Sequence, residues 1–307
     1  MNALARMGRA GAPIAVLGWG LNLVALAVLV IVTTLLLYAV FRRRSGEARL
    51  SEAGESRALR WIGGGAVAAS CILVAMFAWT LHALTAYDRG LRGPALTIHL
   101  TGYRYWWKLE YRRPDGAVDF VTANEVHIPT GQAVVLLLDG GDVIHSFWVP
   151  ALAGKTDLVP GQTNRMWIEA DAPGLYRGAC AEFCGAEHAL MLIEVLAQPP
   201  AEFARWEVEQ RTPAADTSSV SLTIFRAHGC AACHTVSGTD ARGNVGPDLS
   251  HVGSRETLAA GIIPNNPGAL ARWLADPQSV KPGSMMPDTQ LRGAELSDLV
   301  RYLTRLK

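Results

Sequence analysis

Polar and apolar positions are distributed very unevenly along this chain. No charged residue lies between Arg9 and Arg42, or between Arg60 and Asp88. The gaps hold apolar runs at about residues 14–41 and 62–86, each long enough for the ~20-residue helix that crosses a bilayer. The first is longer than the ~7–15-residue core of a secretion signal and lacks a clean cleavage site, so it reads as a retained span. From residue 95 to about 197 the pattern changes to short β-prone runs, such as 96–100, 133–138 and 166–169. Turns at Pro114-Asp115-Gly116 and Asp139-Gly140-Gly141 break them. Closely spaced strands without intervening helices predict an all-β sandwich or barrel. A short helix at about 201–210 follows, then a polar, Pro/Ala/Ser-rich linker at 211–219. The remainder reads as helical and ends in an amphipathic helix over 294–306, with Leu296, Leu299, Val300 and Leu303 on one face. The predicted organisation is therefore 1–90 (tail and two transmembrane helices), 91–200 (β domain), 201–219 (short helix and linker) and 220–307 (helical domain).

Charge adds orientation. The segment between the spans carries Arg42, Arg43, Arg44, Arg49, Arg57 and Arg60 against Glu47, Glu52 and Glu55, while the N-terminal tail has Arg6 and Arg9. Basic connectors stay in the cytoplasm, which leaves both termini and everything after Asp88 outside. The net charge of +1 conceals a region, 88–210, with 10 basic and 16 acidic residues. That balance excludes nucleic acid and suits a cationic protein partner. Five cysteines are present. Cys71 falls in the second apolar run and reads as a buried apolar residue. The others form two close pairs, Cys180/Cys184 and Cys230/Cys233, a spacing that points to cofactors rather than disulfides.

Cys230-Ala-Ala-Cys233-His234 is a C-x-x-C-H signature of c-type haem attachment. Two thiols one helical turn apart can add to one edge of the ring, and the adjacent imidazole can ligate the iron. A thioether on the opposite face raises the potential. Met285 and Met286 are the candidates, and Met286 is preferred because Pro287 follows it. A zinc site would need two further Cys or His at ligand spacing, and only His228 and His251 are near. With Gly246-Pro247-Asp248-Leu249 and the closing helix, 220–307 resembles a class I cytochrome c domain. That resemblance implies Pro247 behind the proximal histidine and the last helix packed on the first.

The second cluster is Cys180-Ala-Glu182-Phe-Cys184-Gly-Ala-Glu-His188-Ala-Leu-Met191. Two thiolates, an imidazole and a thioether form a soft ligand set that selects copper over magnesium or calcium. A second imidazole is offered by His145 in Asp142-Val-Ile-His145-Ser-Phe-Trp-Val-Pro150. With the spans, the β-rich region and Lys155-Thr-Asp157-Leu-Val-Pro160-Gly161, these motifs resemble subunit II of cytochrome c oxidases. The C-terminal haem motif narrows the resemblance to the caa-type subclass, with its fused cytochrome c. It implies a two-helix transmembrane hairpin, an all-β cupredoxin-like Greek-key barrel and a small all-α class I cytochrome c domain. The barrel would hold the dinuclear copper centre CuA through His145, Cys180, Cys184, His188, Met191 and the backbone carbonyl of Glu182. The Glu182 carboxylate would reach a Mg or Mn ion at the boundary with subunit I.

The same resemblance implies an electron-input role in a bacterial inner-membrane oxidase with subunits I and III. A cytochrome c or a quinol-oxidising complex would reduce haem c, CuA would follow, and subunit I would reduce oxygen to water with proton translocation. An aromatic patch would admit electrons. Tyr105 stands where relatives usually have tryptophan, with Trp106 and Trp107 as substitutes, and Asp142 and Asp157 fit docking of a cationic donor. Met76, three residues before Trp79-Thr80, stands where relatives often carry a proton-path glutamate. His82, His99, His127, His228 and His251 read as structural or surface residues. Three other classes compete. A copper chaperone would place Cys-x-x-x-Cys on a thioredoxin-like fold, against the β-rich pattern. A metal-free quinol-oxidase subunit would lack the ligands. A CuA-containing nitric oxide reductase subunit stays open.

Overall fold

A computed structural model describes residues 7–42, 52–88, 91, 93–213 and 220–307. Arg6, Arg43, Arg44, Arg49 and most of the linker at 211–219 lie outside the described residues. The first compact unit of interest is a pair of helices, α1 (Ala12–Phe41) and α2 (Glu52–Asp88). Both are long and apolar enough to cross a membrane, and little of either is buried. Cys71, expected to be buried, is exposed on α2, because two helices alone cover little of each other's surface.

The β region folds as two five-stranded sheets. One runs in the order β3 (Val118–Ala123), β2 (Trp106–Arg112), β1 (Leu96–Tyr103), β5 (Val134–Gly140), β8 (Asn164–Ile168). The other runs β4 (Glu125–Pro129), β10 (Leu192–Gln198), β9 (Gly174–Cys180), β6 (His145–Trp148), β7 (Thr156–Leu158). Pairing is antiparallel except for β1 with β5 and β10 with β4, which gives a cupredoxin-like sandwich. Alternation along each strand sends Ile98, Leu100, Trp107, Leu109, Leu136, Leu138 and Phe147 into a shared core. Each such side chain contributes about 1.5–3 kcal/mol through burial. Helix α3 (Pro200–Arg211) closes one side of the sandwich. Its Trp206 stacks on His127 at 4.0 Å and meets Tyr111 and Phe120 edge-on, while Arg211 pairs with Asp119 at 2.7 Å.

The C-terminal helices are α4 (Val220–Ala227), α5 (Cys230–Cys233), α6 (Pro267–Ala275), α7 (Pro277–Val280) and α8 (Gly293–Leu303). Leu222, Phe225, Leu270, Leu274, Leu299 and Leu303 form their common core, and α4 packs against α8. The last helix stops three residues before the predicted end, yet Leu306 is still fully buried.

This helical domain sits directly on the sandwich. Two short strands, β11 (Thr257–Leu258) and β12 (Ile263–Pro264), form the contact. Thr257 donates its amide and hydroxyl to Glu125 at 2.8 and 3.2 Å, and its hydroxyl also reaches Glu194 at 3.1 Å. The Leu192 amide donates to the Ala260 carbonyl at 3.1 Å.

Candidate metal and haem sites

The end of β9, the loop after it and the start of β6 meet because β6 and β9 pair with Phe147 opposite Cys180. That register brings His145, two residues earlier on β6, to the end of β9. The Ala181 amide donates to the Ser146 carbonyl and the Cys180 amide to the Met191 carbonyl, so both ends of the loop are fixed. The two thiols lie 3.8 Å apart and are not joined. His145 Nδ1 is 3.9 Å from Cys180 Sγ, and His188 Nδ1 is 3.7 Å from Cys184 Sγ. The Glu182 carbonyl is 3.2 Å from Cys180 Sγ. His145, Cys180 and Cys184 are buried, and their donor atoms lie within 4.8 Å of one another. Met191 is fully buried beside them in sequence. Two thiols with room between them and an imidazole on each fit a bridged soft-metal pair.

His145 is aimed by its other nitrogen: Nε2 lies 2.9 Å from Asp142 Oδ1. A carboxylate in that place holds the tautomer that leaves Nδ1 free for a metal. Asp142 is held by the Arg104 amide at 2.9 Å and the Val143 amide at 2.7 Å. Burial opposes its ionisation, but His145 and these donors hold its carboxyl below the usual range. Asp142 therefore orients His145, a contact that its reading as a charge for docking did not foresee. Burial raises the Cys180 thiol, but hydrogen bonds led by that with His145 outweigh this and bring it to about 6. Burial and the neighbouring Cys180 charge push Cys184 up to about 12. Without metal, the pair holds one proton firmly.

Around the C-x-x-C-H motif, a cavity of about 530 Å³ is lined by Cys230, Cys233, His234 and Met286, within the volume range of cofactor sites. His234 Nδ1–H donates to the Pro247 carbonyl at 2.7 Å, and burial lowers the imidazole's pKa against that bond. The ring is thereby kept neutral with Nε2 free for iron. Met286 packs against the core while Met285 is 69% exposed. These residues fit a covalently bound haem.

The cavity's other wall is Tyr103, Arg104, Tyr105 and Trp106 from the sandwich. On its far side Tyr105 meets the metal loop: Gly185 has φ +124°, and a Cβ there would lie 2.5 Å from the Tyr105 hydroxyl. The aromatic patch thus lies between the two sites. Trp107 does not share that wall. Strand alternation turns it inward, where it is fully buried, edge-on to His145 at 6.1 Å, with Nε1–H donating to the Leu192 carbonyl at 2.9 Å. The Glu182 carboxylate is 43% exposed and pairs with Lys155 at 3.3 Å. Sequence reasoning missed Lys281, which is 3% exposed and donates to the Tyr105 carbonyl at 2.8 Å and the Ala259 carbonyl at 3.1 Å. Burial pushes its ammonium down to about 8, against the pull of Glu187 and Cys184. No local motif announces a lysine whose partner is 176 residues away.

Fold and sites together define a chain in which two helices long and apolar enough to cross a membrane precede a cupredoxin-like domain and a cytochrome c domain. Residues 114–198 match the family "Cytochrome C oxidase subunit II, periplasmic domain", and residues 222–307 match "Cytochrome c". Cytochrome c oxidase subunit 2 of Alkalihalophilus pseudofirmus is 39% identical over 68% of this chain and 61% of its own length. The Bacillus subtilis protein of that name is 34% identical over 69% and 63%. The crystal structure of the periplasmic domain of cytochrome oxidase subunit II (CoxB) of Bradyrhizobium japonicum is 32% identical, over 38% of this chain and 94% of that one, with a TM-score of 0.36. The chain thus combines a cytochrome c oxidase subunit II periplasmic domain with a cytochrome c domain. It spans a little over 60% of the length of the two curated relatives.

Proposed function

We propose that this chain is the electron-input subunit of a haem–copper terminal oxidase. In this reading it conducts electrons from a cytochrome c or a quinol-oxidising complex, through its haem domain and then its copper loop, to subunit I. There oxygen is reduced to water with proton translocation. The observation that carries the reading is the position of Tyr105, with the haem cavity on one side and Gly185 of the metal loop on the other. Bound copper and haem would supply the one-electron chemistry; the protein positions and tunes them. His145, Cys180, Cys184, His188, Met191 and the Glu182 carbonyl would hold CuA, with His145 oriented by Asp142. Cys230 and Cys233 would hold haem c covalently, and His234 and Met286 would supply the nitrogen and sulfur that tune its iron. The Glu182 carboxylate would serve a Mg or Mn ion at the subunit I boundary, exchanging Lys155 for it.

The helices α1 and α2 would cross the bacterial inner membrane twice, leaving both termini and the 91–200 and 220–307 domains on the periplasmic side. Subunits I and III would be the membrane partners, and the acidic 88–210 region favours a cationic donor. The test is turnover of the purified complex with reduced cytochrome c, with oxygen or nitric oxide as acceptor. Oxygen consumption supports the oxidase; nitric oxide reduction without it assigns the chain to a nitric oxide reductase. Copper loading should add the purple and near-infrared absorption of a mixed-valence pair to a c-type haem spectrum. A haem spectrum alone would overturn the copper half.

A further inference from the structure

The segment after α7 contains both Lys281 and Met286, and it is braced within itself. Gln278 donates to the carbonyls of Ser284 at 2.9 Å and Met286 at 3.1 Å, and accepts from the Gly283 amide at 2.9 Å. The Ser284 amide donates to the Lys281 carbonyl at 3.1 Å. One end of this loop presents Met286 to the haem cavity. Its middle touches the metal loop: Gly283, at φ +87°, would place a Cβ 3.7 Å from Ala186 Cβ and from Glu187 Oε1. Its other end is Lys281, whose ammonium grips the backbone of Tyr105 and of Ala259. Glu187 is 4% exposed, and its Oε2 has no hydrogen-bond partner among the described residues. A buried ammonium therefore stands across the domain contact from an under-satisfied buried carboxylate. Burying charge in this way is costly unless the partners stay in place.

We infer that Lys281, with Glu187 facing it, is a positioning residue that holds the Met286 loop against the Gly185–His188 stretch of the metal loop. The arrangement joins the Met286 segment to the copper loop through packed backbone, so that this clasp sets the local approach of the two sites within a contact also held by Thr257 and Leu192. It rests on the electron-input reading above and adds to it a residue that holds the Met286 loop in register with the metal loop. Lys281 touches neither centre and acts through Tyr105 and Glu187.

The test uses the full-length, metal- and haem-loaded chain and two variants. Lys281→Met keeps the apolar stem and removes the donors; Glu187→Gln keeps the shape and removes the charge. Hydrogen–deuterium exchange of the amides at 103–107, 185–188 and 281–286 reports the contact, and reduction of the haem by a light pulse reports transfer to copper. Both variants should speed exchange in these segments. Both should also slow haem-to-copper transfer several-fold, because electron tunnelling weakens steeply as the packed path between the centres loosens. The haem and copper spectra should be unchanged. Unaltered exchange and transfer in variants with intact spectra would overturn the inference. If Lys281→Met loses a spectrum, Glu187→Gln decides by the same two readings. Absence of haem-to-copper transfer in the unmodified chain would instead defeat the electron-input reading.

Discussion

Removing the Asp142 carboxylate tests how the metal site is organised. The side chain accepts from His145 Nε2–H at 2.9 Å and leaves Nδ1 facing Cys180 Sγ. Partners of this kind typically contribute ~10–100-fold to metal affinity, equivalent to about 1.4–2.8 kcal/mol. Asp142→Ala should lose that full amount. Asp142→Asn keeps an acceptor for the imidazole but no charge. The difference between charge-assisted bonds at ~1.5–3 kcal/mol and neutral ones at ~0.5–1.5 leaves a deficit of about 1 kcal/mol, or roughly five-fold. Because Asp142 also holds the Arg104 amide and side chain, Arg104→Ala serves as the control and should bind copper within about two-fold of the parent. The assay is competition for copper against a chelator of known affinity, followed by the absorption of the copper centre. Equal affinity in all four proteins, or a larger loss in the Asn than in the Ala variant, would refute this account of His145.

Three further outcomes follow from the same contacts. Copper binding must displace the proton that Cys184 holds up to about 12. Apparent affinity should therefore rise about ten-fold per pH unit between roughly pH 7 and 9, as measured by the same competition at each pH. Burial raises Glu125 from 4.5 to about 6 against the Thr257 amide bond. Its folded value exceeds its unfolded one, so the stability it confers is full below pH 4.5 and declines as pH rises through 6. Thermal unfolding from pH 4.5 to 7.5 should lose roughly 2 kcal/mol that Glu125→Gln does not lose. Trp206→Ala removes the stack on His127 and the edges to Tyr111 and Phe120, and should cost about 3–5 kcal/mol in denaturant unfolding.

The architecture was readable to the extent that it depends on local pattern. Apolar length marks α1 and α2, period-two alternation marks the strands, and the spacing within Cys180–Met191 and Cys230–His234 marks two donor sets. His145 could be paired with Cys180 because its surrounding motif, Asp142–Pro150, marks it as the second imidazole the cysteine loop lacks. What escaped depended on distant chain segments coming together. Nothing near Lys281 in sequence indicates the Tyr105 carbonyl it binds, and Asp142 looked like any surface acid until His145 was seen to point at it. The separation of Trp106 from Trp107 was available in principle. Consecutive strand residues face opposite ways, so only one of the pair could line a surface, but the aromatic density of 102–111 drew them together as one patch.

Helix α3 has one more implication. With Trp206 wedged among rings and Arg211 tied to Asp119, the covalent lead to the cytochrome part departs from a fixed point on the sandwich only a few residues before α4 begins. A lead that short imposes a local concentration of order millimolar. A contact with a dissociation constant of about 0.1 mM, too weak to hold dilute separate molecules together, would keep the two bodies engaged roughly nine-tenths of the time. Such a grip can be remade quickly after each loosening, leaving natural selection free to tune its geometry for speed instead of strength.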